Sequence, residues 1–165
     1  MNLKQLLIDE LKQESANTEK MISCLPEDKF GWKPHDKSMT LQQLAAHIVG
    51  LFGRGANIAD SDEFDFAKMP SKTPKTDNVA ELTSILKQGS ADFIKSLEGI
   101  TDEDLNKQWT MRNGETVFFQ MPKYKAMRTS ILNHIYHHRG QLGVYLRLLN
   151  VPVPGMFGPS ADDKR

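Results

Sequence analysis

Ile131-Leu132-Asn133-His134-Ile135-Tyr136-His137-His138-Arg139-Gly140-Gln141-Leu142 is the stretch from which the fold is read. It lies within a longer stripe, Met127, Ile131, His134, His138, Leu142, Tyr145 and Leu149, whose members step by three or four residues throughout. That period is one face of an α-helix, so the spacing predicts a helix from about Pro122 to Leu149. Two of the inward positions are histidines, His134 and His138, and residues four apart project their side chains from the same face. His137 stands to one side of that face. Inside a bundle each imidazole needs a polar partner, and a single metal ion satisfies both at once.

Working outward from this helix, three more emerge. Asn2 to Leu25 carries the stripe Leu3, Leu7, Leu11, Met21, Ile22, Leu25 and stops at Pro26. Along the same face lie Glu14, Ser15 and Thr18, a pattern that suits a helix lining a polar cavity and an exposed helix equally well. A loop over Asp28 to Lys37 contains Phe30-Gly31-Trp32-Lys33-Pro34-His35, with His35 read as solvated. The second helix opens at Ser38 or Thr40, since Thr40 followed by Gln43 has the form of a capping box. Its stripe is Leu41, Leu44, Ala45, Ile48 and Phe52, with His47 at the edge, and Gly50, Gly53 and Gly55 are expected to loosen its end. A polar connection with Pro70 and Pro74 leads to a third helix, Asn78 to Leu97, ended by Gly99. A short helical turn is expected over Asp102 to Asn106.

Between the third and fourth helices, Gln108-Trp109-Thr110-Met111 and Thr116-Val117-Phe118-Phe119 flank Asn113-Gly114. Asn-Gly between β-prone runs predicts a two-stranded hairpin. The expected fold is therefore all-α: a four-helix bundle with a small β-hairpin excursion, in a single domain over residues 1–165. The connections on either side of the third helix are long enough to permit a non-sequential packing order.

Composition narrows the function classes. The chain of 165 residues carries 21 Lys+Arg against 21 Asp+Glu, scattered along its length, which disfavours phosphate-backbone binding to nucleic acid. One cysteine, Cys24, rules out an intramolecular disulfide and a cysteine-rich zinc site, and it reads as a small core residue. The N-terminus turns polar too early for a signal peptide, and no apolar run spans a bilayer. A cytoplasmic protein is the expectation.

If the second helix brings His47 to His134 and His138, three neutral nitrogens surround one divalent ion and leave a coordination position open, as in catalytic sites. His137 is the alternative partner for His134. Glu-x-x-His pairs of di-iron bundles are absent, and Ile135 occupies the place of the general-base glutamate in a His-Glu-x-x-His protease. With no adjacent carboxylate base, thiol activation fits the pattern better than attack by a metal-bound hydroxide. A hydrolase, a metal-stabilised interaction module and a metal-free bundle with hydrogen-bonded histidines are the alternatives. Asp162 and Glu14 are the expected acceptors for the imidazole N–H groups. Phe157, in the Pro/Gly-rich tail, is either a cap over the core or one wall of the metal pocket.

Three blocks carry a family resemblance. They are Phe30-Gly31-Trp32-Lys33-Pro34 running on through Ser38-Met39-Thr40-Leu41 to Leu44-Ala45-Ala46-His47-Ile48, the His134 to Leu142 block with Tyr145-Leu146-Arg147, and the tail Val151 to Asp162. In that order they resemble the DinB/YfiT-like bundle proteins. The resemblance implies a four-helix bundle, commonly a homodimer, with a zinc or nickel ion held by His47, His134 and His138. It also implies a small-molecule substrate, in some members together with a low-molecular-weight thiol, because relatives include thiol-dependent S-transferases and a mycothiol-dependent isomerase.

Overall fold

Each long helix starts at a side chain that caps it. In the computed structural model, which describes residues 2–68 and 76–163, Asn2 accepts the Gln5 N–H at the head of α1 (Leu3–Ile22). Thr40 and Gln43 form a reciprocal capping box on α2 (Leu41–Asp60), at 3.2 and 2.9 Å. Asn78 accepts the Glu81 N–H at 2.8 Å to begin α3 (Val79–Gly99). The polar connection containing Pro70 and Pro74 lies outside the described residues.

The fourth helix is not a uniform α-helix. It runs as α4 (Lys123–Ala126), a π-helical stretch over Met127–Leu132, and α5 (Asn133–Leu148), with helical dihedrals at each junction. The Asn133 N–H reaches back five residues to the Arg128 carbonyl, the wider π pattern. Pro122 sits just before the first turn.

The order of helices around the bundle departs from their order in sequence. α1 packs against α3 and α5, while α2 packs between α3 and the fourth helix. The gap in sequence between α2 and α3 permits this order. The central helix α2 is the most buried, with Leu41, Leu44, Ala45, Ala46, Ile48, Val49 and Phe52 fully enclosed.

The glycines of α2 do not loosen its end, contrary to the sequence expectation; the helix continues to Asp60. They serve close packing instead. A Cβ on Gly89 of α3 would lie 2.7 Å from the Gly53 nitrogen, and one on Gly55 would lie 2.2 Å from the Phe93 ring. Burial of Phe93 against α2 repays the helix propensity lost at these positions.

The hairpin is present as β2 (Gln108–Asn113) and β3 (Thr116–Pro122), paired antiparallel. Asn113 pairs with Thr116, so the two turn residues are Gly114 and Glu115. Gly114 supplies the positive φ of 56° that the first position of a type II′ turn requires. The sequence reading missed a third strand, β1 (Glu63–Asp65), which pairs parallel with β2. Three residues are too few for a periodicity to register. Its anchor is Asp65, buried, whose carboxylate accepts the N–H groups of Gly114 and Ala67 at 2.9 and 3.0 Å. Those hydrogen bonds, the Gly114 one first, hold the Asp65 carboxyl below its ordinary pKa.

Two of the polar residues in the α1 stripe neither face solvent nor line the cavity. Glu14 and Thr18 are buried, and Glu14 forms an ion pair with Arg139 of α5. One turn earlier, Glu10 pairs with Arg128 and accepts the Tyr136 hydroxyl at 2.7 Å. These contacts clamp α1 to one face of the fourth helix and leave the opposite face to α2.

Candidate metal centre

His47 projects from α2, and His134 and His138 from successive turns of α5, into one space. The Nε2 atoms of His47 and His134 are 3.3 Å apart, and those of His134 and His138 are 2.8 Å apart. Every ligand atom of the three lies within 4.8 Å of the others. Tetrahedral nitrogen ligands at zinc-like distances of about 2.0–2.1 Å stand roughly 3.3 Å from one another. The first pair matches, and the second needs a shift of about half an ångström.

Protonation favours the same use. His138, 9 % exposed, places its Nδ1 2.7 Å from Gln141 Oε1. The glutamine oxygen can only accept, so Nδ1 carries the proton and Nε2 presents its lone pair to the cluster. Burial holds the His47 pKa down to about 4 from 6.5, helped by the charges of His138, His134 and Arg54. Burial likewise lowers His134, with His138 and Arg54 adding to it, and lowers His138. Three neutral donors at neutral pH suit a divalent cation.

The shifts set a pH dependence of stability. All three folded pKa values lie below the unfolded one, and for His47 the unfolded chain binds between about 4 and 6.5 a proton that the native state refuses. Stability is therefore fully present above 6.5 and is lost as pH falls. Urea denaturation of chelator-treated protein should show a lower midpoint at about pH 5 than at about pH 7.5. His47→Ala should flatten that difference; an unchanged slope would contradict the assignment.

Of the expected acceptors, neither Asp162 nor Glu14 approaches the imidazoles. Asp162 binds Arg147 and the Val153 N–H, tying the tail to the end of α5. Glu14 faces α1's side of the helix, spent on Arg139. Gln141 takes the role instead, one turn beyond His138, a position that i+3 spacing could have suggested. His137 is exposed and does not join the cluster, and His35 is exposed in its loop.

Beside His134 opens a cavity of about 310 Å³. Its floor is Trp109 and Met111 of β2 with Phe64 of β1, and its walls include Leu51 and Arg54 of α2 and Ser130 of the π-helical stretch. Phe157 forms no part of it. That ring is 69 % exposed and stacks loosely on Tyr136 and Arg139, so the tail is a cap and the sheet is the pocket wall.

The DinB family model matches residues 1–164. This chain belongs to the DinB family. Among its relatives, the uncharacterized protein YrdA of Bacillus subtilis (strain 168) is 25 % identical over 154 residues, 91 % of this chain and 85 % of YrdA. A DinB-like protein of Bacillus cereus ATCC 10987, solved by crystallography, superposes with a TM-score of 0.67 at 23 % identity, covering 92 % of this chain and 95 % of that one. The crystal structure of the DinB-like protein YjoA from Bacillus subtilis gives a TM-score of 0.68 at 20 % identity, covering 90 % and 96 %. These likenesses establish the bundle fold. No helix among the described residues is long and apolar enough to cross a membrane.

Proposed function

We propose that this DinB-family protein holds a divalent cation, zinc or nickel, through His47, His134 and His138 and promotes attack of a low-molecular-weight thiol on a small electrophile, forming a new bond to the intact thiol's sulfur while its proton, and any group displaced from the electrophile, passes to solvent. The convergence of the three Nε2 atoms carries the reading. When bound, the cation would supply the positive charge that lowers the pKa of a thiol beside it.

The chain's own residues prepare the site. Gln141 holds the His138 tautomer, and burial keeps all three imidazoles unprotonated. The cavity beside His134, with its mostly apolar lining, gives a small molecule room next to the cluster. Among the described residues no Asp or Glu lines that cavity. A thiol gives up its proton without such a base more readily than water does, which favours thiolate attack over hydrolysis. The homodimer and the small-molecule thiol partner belong to the same proposal.

The test is turnover. Protein loaded with zinc or nickel should consume a low-molecular-weight thiol together with an electrophile, followed as thiol loss, and chelator-treated protein should not. Ester hydrolysis without thiol consumption would shift the assignment to a hydrolase. Cation binding with neither activity would leave a metal-stabilised module.

A further inference from the structure

The cavity beside His134 contains one cationic side chain whose charge is not answered. Arg54 is half-buried, lines the cavity, and makes no ion pair or hydrogen bond to a carboxylate among the described residues. The stretch 69–75 that completes the connection after β1 carries no Asp or Glu in its sequence. Among the described residues, three other buried or half-buried cations do have a carboxylate: Arg139 has Glu14, Arg128 has Glu10, and Lys123 has Asp62 with the Ala59 carbonyl. Leaving a guanidinium partly desolvated without a partner costs free energy, and a ligand anion would recover it.

Position adds to this. His47, Leu51 and Arg54 follow at four and three residues along α2, so the guanidinium lies on the face that also presents His47. Its charge reaches both His47 and His134. Besides His134, the remaining polar lining is Asn57 and Ser130, and the rest is apolar, with Phe64, Phe66 and Trp109 its aromatic part. A phosphate dianion would call for more than one cation and a set of backbone donors. One planar fork with an amide and a hydroxyl nearby matches a carboxylate.

We propose that this cavity binds a small, largely apolar carboxylate as substrate, its carboxylate paired with Arg54 and its apolar body on Trp109, Met111 and Phe64. Arg54 is thus a positioning residue that turns the other end of the molecule toward the histidine cluster. Calling the ligand a substrate rests on the thiol-attack reading; the carboxylate pairing itself does not need the cation.

Calorimetric titration at about pH 7.5 with 3-phenylpropanoate and with its amide, 3-phenylpropanamide, tests this. Chelator-treated wild-type protein should bind the acid saturably and about 10-fold to 100-fold more tightly than the amide. Arg54→Gln should abolish the preference while leaving the thermal midpoint within a few degrees, and Arg54→Lys should retain part of it. Equal binding of acid and amide by the wild type, or no saturable binding of either, would overturn the proposal even if a variant failed to fold. So would a preference that appears only in cation-loaded protein and survives Arg54→Gln, since the carboxylate would then be on the cation. Failure of the thiol assay with a positive titration here would overturn the thiol-attack reading alone.

Discussion

His138→Ala should weaken divalent-cation binding on the order of 10³-fold or more while the bundle stays folded. Structural zinc sites in small domains bind with about 10–16 kcal/mol, so each of a few ligands carries several kcal/mol, and three decades correspond to about 4 kcal/mol. The side chain lies between α2 and α5, but the helices around it are held by a separate apolar core and by the clamps to α1. Competition titration with a chromogenic chelator measures the loss, and far-ultraviolet circular dichroism checks the fold. Gln141→Ala gives the graded companion: the imidazole remains but its Nδ1 loses its acceptor at 2.7 Å, and affinity should fall about 10–100-fold. If both variants bind the cation as the wild type does, the three nitrogens are not its ligands. Retained affinity in His137→Ala is the matching control, because that ring is exposed and outside the cluster.

Glu14→Ala carries the second large expected effect, on stability. The Glu14 and Arg139 side chains are 2 % and 4 % exposed, and Arg139 also donates to Thr18 Oγ1 at 3.2 Å and to the Glu14 carbonyl at 3.3 Å. Removing the carboxylate leaves a guanidinium buried against Tyr136 with no counter-charge. Such a loss costs about 3–5 kcal/mol, a large share of a small domain's stability. Urea titration should show the midpoint falling with little change in slope. Replacing both partners, Glu14→Leu with Arg139→Met, should recover most of the loss, since two apolar chains of similar volume need no pairing. A single variant as stable as the wild type would mean that water reaches the guanidinium in solution.

The two predictions meet at neighbouring positions of α5, His138 in the histidine cluster with α2 and Arg139 paired with Glu14 of α1, and they divide what is local from what is not. The three-four spacing of Met127, Ile131, His134, His138, Leu142 and Tyr145 identified the fourth helix and put two imidazoles on its inner face, because periodicity is a property of consecutive residues. The capping residues Thr40 and Asn78 were legible for the same reason, each bonding a backbone group within three positions. The Asn-Gly signal located the hairpin, although the turn itself centres one residue later. The π-helical stretch escaped notice, since its residues keep an apolar pattern that an α-helix fits as well.

Long-range partners were a different matter. Glu14 and Arg139 are 125 residues apart, and nothing near Glu14 marks it as half of a buried pair rather than a solvated side chain. The glycines of α2 resemble a fraying end until the Phe93 ring is found against Gly55. β1 is visible only as the neighbour of β2, and the floor it helps to make turns Arg54 from one arginine among many into the cation of a cavity.

From the sequence alone came the helices, their inward faces, the hairpin and the three histidines worth watching, all set by periodicity, capping and turn chemistry within a few residues. The tertiary structure decided that α2 lies beside α5, which brings His47 to within 3.3 Å of His134, and that the sheet, not the tail, walls the adjoining cavity. Those outcomes depend on which apolar faces bury one another, a free-energy balance over the whole chain that no local pattern encodes.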